Sequence, residues 1–141
     1  MWNLDDEAKY VKVHSFSLPE AFTYADTREG QTDKDKRERI RVKAAEDFPD
    51  NIPSVKWWAF RIFVKKSGNR RFDIENVPKL IVDAFCRRQI QEDGSQYTKL
   101  GLFRDDTIDF VRVIEVGGIR SQEENTTKVE IFGCKQGEHG V

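Results

Sequence analysis

Among 141 residues the chain has only two cysteines and two histidines. Cys86 and Cys134 are too few for the disulfide framework that staples small exported domains, so both are expected to be reduced thiols. His14 and His139 stand without a paired ligand in sequence, and neither is expected to bind a metal. Long hydrophobic runs are missing as well. The longest, Trp57-Trp58-Ala59-Phe60, stops at Arg61, far short of the ~20 residues of a membrane helix. The opening Met1-Trp2-Asn3-Leu4-Asp5-Asp6-Glu7 is acidic and leads into no apolar stretch, unlike a secretory signal. Nor is there a tandem repeat or low-complexity tract. The expectation is a cytoplasmic protein with one domain over residues 1–141 and a disordered tail at 135–141.

What is present argues for a folded chain with a heavily solvated surface. Three Trp, three Tyr and ten Phe are hard to reconcile with disorder. Charged residues reach 35%, against about 25% in an average domain. The net charge of -1 conceals a segregation. Residues 34–71 hold twelve Lys and Arg against five Asp and Glu, a net of +7; the remainder holds twelve against twenty, a net of -8. Lys56, Arg61, Lys65, Lys66, Arg70 and Arg71 follow one another with no acidic residue between them. Such a stripe suits a polyanion held beside a carboxylate-bound metal. Taken alone, 34–43 reads as the solvated face of a helix.

Periodicity places the elements. Residues 10–16 alternate Val11 and Val13 with polar neighbours and predict a strand; 19–33 read as loop. Ile40, Ala44 and Phe48 recur every four residues, which predicts a helix over 34–48 with Pro49 to stop it. The β-branched and aromatic run 55–64 is apolar on both faces, as an inner strand covered on each side would be. Trp57 and Trp58 there are core or interface residues first and base-stacking platforms only second. Val77, Leu80, Ile81, Ala84 and Phe85 line one side of an amphipathic helix. Pro78 fits only its first turn, so the helix should start near Glu75 or Asn76. Cys86 falls off the apolar stripe, as a bystander thiol. Residues 87–104 read as a long polar connection. Two further strands, 108–116 and 127–132, flank a loop at Gly117-Gly118. The fold class expected is α+β, a small mixed β-sheet of about four strands packed with two main helices.

The residues able to carry chemistry cluster around the second helix. Asp73 and Glu75 lie two apart at a strand-to-helix junction, and Asp105-Asp106 precedes the next strand. Carboxylate oxygens are what a hard divalent cation takes, usually one or two with waters and substrate phosphates. Lys79, one turn after Glu75, could reach the same place and stabilise a developing negative charge. Helix-dipole chemistry and ordinary turns explain the same acids without a metal.

The string Arg71-Phe72-Asp73-Ile74-Glu75-Asn76-Val77-Pro78-Lys79-Leu80-Ile81-Val82-Asp83-Ala84-Phe85, then Phe103-Arg104-Asp105-Asp106, resembles the RusA family of Holliday junction resolvases. The likeness covers residues 70–116, about a third of the chain. It implies a homodimeric, Mg2+-dependent endodeoxyribonuclease, with Mn2+ able to substitute, that resolves four-way DNA junctions by paired nicks in recombination and repair. It further implies that Asp73, Glu75 and Asp106 bind the metal, with Asp105 accessory, and that Lys79 is the catalytic lysine. Asp83 is expected to be a structural partner of Lys79 or Arg87. Lys65, Lys66, Arg70 and Arg71 are the residues expected to contact DNA phosphates. Glu75 stands where the family has Asp, Pro78 directly precedes the lysine, and 87–104 is longer than the family's link. Two alternatives stay open: a nuclease of the same fold for other branched DNA, and a non-catalytic module that binds DNA or a protein.

Overall fold

The computed structural model describes residues 2–26 and 30–135. The described elements are β1 (Tyr10–Leu18), α1 (Asp33–Ala45), β2 (Val55–Lys66), α2 (Val77–Ala84), α3 (Arg87–Asp93), β3 (Val111–Arg120) and β4 (Thr126–Lys135). Short 3-10 turns occur at Ile74–Asn76 and Thr98–Leu100. The strands make one mixed sheet in the order β1-β4-β2-β3. β4 runs antiparallel to both β1 and β2, and β3 runs parallel to β2. The fold is therefore α+β around a small mixed sheet. A parallel neighbour demands a long crossover; here that crossover contains α2, α3 and both 3-10 turns. The candidate chemistry rides on it.

Both faces of β2 are covered, but unequally. Trp58, Phe60, Ile62 and Val64 join Ile40 and Ala44 of α1 and Leu80, Ile81 and Ala84 of α2 in the main core. On the opposite face Trp57 and Ala59 pack with Leu4, Tyr10, Val113, Phe132 and Cys134. The Trp2 ring closes that cluster, edge-on to Trp57 at 5.7 Å. Phe63, farther along the same face, is 41% exposed. The cover expected from sequence is complete only beside the N-terminal segment.

Several expectations are corrected by packing. α1 starts at a capping box, Thr32 Oγ1 accepting from the Asp35 N–H and the Asp35 carboxylate from the Thr32 N–H. Residues 34–43 do not form a merely solvated face, because Lys36 and Arg41 are buried at 4% and 0% exposure. Lys36 donates to the Thr23 carbonyl. Arg41 donates to the Ala84 carbonyl at 2.9 Å and pairs with Asp93 at 3.0 Å. Arg37 grips Asp93 through two bonds of 2.8 and 2.9 Å. These partners lie 13 to 56 residues away, where helical spacing cannot show them.

Residues 87–104 are not a loop but α3 and a 3-10 turn, anchored by the buried Ile90. α3 ends at Gly94, whose φ of +65° suits a residue without Cβ. Cys86 is not on an outer helix face: it is buried at the junction of α2 and α3, its thiol 3.5 Å from the Arg104 carbonyl. β3 begins at Val111 rather than 108, leaving Ile108 exposed, and continues through Gly117-Gly118 instead of turning there. A Cβ on Gly118 would lie 2.9 Å from Ile74 Cδ1 and from the Val64 carbonyl. Glycine is needed there for close approach, not for a loop, and it lets the turn before α2 sit on the strand. His139 and residues 136–141 of the expected tail lie outside the described residues. Among the described residues, no helix is long and apolar enough to cross a membrane.

Candidate active site at the start of the second helix

Asp73 opens the 3-10 turn, its carbonyl accepting from the Asn76 N–H at 3.0 Å. α2 itself starts at Val77, one or two residues later than the spacing predicts, so Pro78 sits in the first turn, where no helical hydrogen bond is lost. Lys79 is thus on undisturbed helix. The Asn76 carbonyl accepts from the Tyr24 N–H at 2.9 Å, which docks the loop after β1 against this turn. The Tyr24 ring lies 6.0 Å from the Lys79 ammonium, a cation–π contact that sequence gave no reason to expect.

Lys79 joins the two halves of the motif. Its Nζ is 3.0 Å from Asp83 Oδ2, one turn along the same helix, and 3.6 Å from Asp106 Oδ2, across from the segment before β3. Asp83 is thereby the structural partner expected for Lys79, and no ion pair links it to Arg87. Its side chain is only 7% exposed, while that of Lys79 is 48% exposed. Burial pushes the Asp83 carboxyl above its usual range; Lys79 offsets this in part, and the Asp106 charge adds to the rise. Partial burial works against the Lys79 cation, but the hydrogen bond and charge of Asp83 and the charge of Asp106 outweigh it and raise its pKa. Lys79 thus stands between the side chains of Asp83 and Asp106, which favour its charged form.

The remaining predicted residues lie around this centre without all converging on it. Asp73 is part-exposed and accepts from Arg71 Nε at 3.0 Å. Glu75 is exposed and makes no ion pair with a described residue. Asp105 turns to Arg88, Oδ1 to Nη2 at 3.1 Å, and also accepts from the Asp106 N–H. Among the described residues, no three His, Cys, Asp or Glu side chains are gathered closely enough to hold a metal ion together. In kind the donors fit Mg2+: Asp73, Glu75 and Asp106 are hard oxygen ligands on solvent-accessible turns. His14 is no ligand; its Nε2 donates to the Ala44 carbonyl at 2.8 Å, packed between Phe16 and Phe48.

The predicted phosphate contacts sit at the end of β2 and in the turn that follows. Lys65 pairs with Glu124 at 3.3 Å, and Lys66 lies over the Phe72 ring at 5.5 Å. Arg120, from the end of β3, donates to the Gly68 and Arg70 carbonyls at 2.9 and 2.7 Å and so orders the turn. It is one of the residues that sequence reasoning missed; the parallel pairing of Lys66 with Arg120 brings it there, and the sequence carries no signal of that pairing. Searches for related proteins identify no family, since neither a family model nor a curated protein matches the chain.

Proposed function

We propose that this chain is a metal-dependent, structure-selective endodeoxyribonuclease that resolves four-way DNA junctions by paired nicks, acting as a homodimer with Mg2+ or Mn2+. The observation that carries the reading is the bridging of Lys79 between Asp83 and Asp106. It brings together the helix-borne and the Asp-Asp segments of the RusA-like pattern, Lys79 and Asp106 being 27 positions apart in the chain. Asp73, Glu75 and Asp106 would hold the cation, with Asp105 beside them once released from Arg88. The bound ion would polarise the scissile phosphate and activate the attacking water. Lys79, fixed as a cation by its two acids, would neutralise charge on the phosphoryl oxygens. Asp83 holds Lys79 in place. Lys65, Lys66, Arg70 and Arg71, at the end of β2 and in the turn that leads to Asp73, would take neighbouring phosphates. The test is incubation of a synthetic four-way junction, a flap and a linear duplex with Mg2+, Mn2+ or EDTA. Metal-dependent paired nicks in the junction are expected; cutting of the flap alone would transfer the reading to other branched DNA.

A second reading, a non-catalytic module binding DNA or a protein, draws on one observation. The three carboxylates are not gathered, and Asp73 and Asp105 are each engaged by an arginine. Junction binding without cutting in any metal would establish it.

A further inference from the structure

Next to the Lys79–Asp106 pair, α3 and the segment leading to β3 enclose an open cleft of about 610 Å3 whose charge comes from Arg87, Arg88, Arg104 and Asp105. Its walls are fixed by backbone. The Arg87 N–H donates to the Phe103 carbonyl at 2.8 Å, and the Leu102 N–H to the Phe85 carbonyl at 3.0 Å. Asp105 takes Arg88. Arg104 lies over the Phe110 ring at 5.6 Å and makes no ion pair with a described residue. Among the described residues, Arg87 stands apart from every other arginine, because its side chain makes no hydrogen bond, ion pair or ring contact with any of them. Yet its stem is placed: a Cβ on Gly101 would come 2.4 Å from Arg87 Cγ, so glycine is what leaves room for it. An exposed guanidinium that is positioned but unused, beside a second without a counter-charge, is a fork awaiting an anion.

We propose that this cleft holds phosphates of the nucleic-acid strand that passes the Lys79–Asp106 site, with Arg87 and Arg104 making the contacts. The proposal rests on the nuclease reading and extends it to the cleft beside α3. Asp105, which lines the cleft, directly precedes Asp106, which pairs with Lys79, so the cleft adjoins the site along the chain. A phosphodiester strand suits the lining better than a lone small anion does, since the cations are spread around an open cleft rather than focused on one point.

The test measures binding in EDTA, where no cleavage occurs, by fluorescence anisotropy of a labelled four-way junction and a labelled single strand. Arg87→Gln and Arg104→Gln keep most of each stem, and an unchanged urea midpoint establishes that they fold. Each is expected to weaken binding about tenfold and to lower the slope of log affinity against log salt by about 0.7 to 0.9. Arg87→Lys should recover the slope but only part of the affinity. If the wild type binds and the double variant binds equally well with the same slope, the cleft is not a strand site and the nuclease reading survives. If the wild type binds neither probe, the nuclease reading itself falls. Arg87-dependent binding of polyglutamate, with nucleic-acid binding untouched by the variants, would reassign the cleft to an acidic protein segment and overturn the proposal.

Discussion

Replacing Asp93 by alanine should cost more stability than any exposed charge change in this chain. The Arg41 guanidinium is wholly buried, and the side chains of Asp93 and Arg37 are 6% and 11% exposed. Deleting the carboxylate leaves Arg41 with the Ala84 carbonyl and a 3.2 Å contact to Glu38, while Arg41 Nη2 already lacks a partner. Removing one member of a buried ion pair costs about 3–5 kcal/mol, because the remaining charge keeps its desolvation penalty. Against a total stability of about 5–15 kcal/mol that is a large share. For a chain of this length it corresponds to a fall in Tm of about 10–15 °C. Asp93→Asn keeps the volume and an acceptor and should lose roughly half as much. Burial works against the ionised Asp93, but Arg37, Gln89 and Arg41 outweigh it and hold its pKa below the usual 3.8. Its contribution is therefore present above that pH and lost on acidification, and the alanine variant should lack that part of the acid slope. Urea unfolding of both variants at several pH values is the assay. A loss below about 1 kcal/mol for Asp93→Ala would show that the cluster is hydrated and the burial argument wrong.

Other outcomes follow from separate contacts. Glu130, held to a pKa of about 2 by Arg61 at 2.8 Å with Lys12 assisting, contributes stability above its ordinary 4.5 that disappears as pH falls toward 2. Glu130→Gln should flatten the acid-unfolding curve across that interval. Gly118→Ala should cost about 1–3 kcal/mol and reduce cleavage as well, because the displaced atom belongs to Ile74, between Asp73 and Glu75; full stability and activity would count against the close approach. Lys79→Ala should lose cleavage while remaining folded, and carboxyl NMR should show Asp83 titrating still higher than in the wild type, since its offsetting cation is gone. An unmoved Asp83 would mean that the lysine does not control it.

Local pattern made part of this molecule legible and long-range pairing hid the rest. The strand over 55–64 and the apolar stripe of α2 follow from side-chain periodicity, which is a property of each segment alone. So does the Lys79–Asp83 pair, at a helical spacing of four. α3 was invisible because Ile90 is its one buried residue, too little for a period. The stretch 34–43 read as a solvated helix face because the acid that neutralises Arg37 and Arg41 lies about 50 residues on. Gly117-Gly118 read as a loop because a close approach by Ile74 leaves no trace in sequence. Among the site residues, Lys79 and Asp106 could be paired through their likeness to a known pattern, whereas Tyr24, Arg120 and the Arg87 cleft needed the fold. The positions of Asp73 and Glu75 relative to that pair depend on side-chain torsions, which no spacing rule contains.

The most direct test of the central claim is single-turnover cleavage of a four-way junction by the wild type and by Asp106→Asn in Mg2+, with junction affinity measured in parallel in EDTA. The variant removes one charge and almost no volume from a part-exposed carboxylate that touches Lys79. The expected result is a rate at least about 100-fold lower with affinity unchanged. A variant that binds and cuts like the wild type would contradict the assignment of this site to phosphodiester hydrolysis.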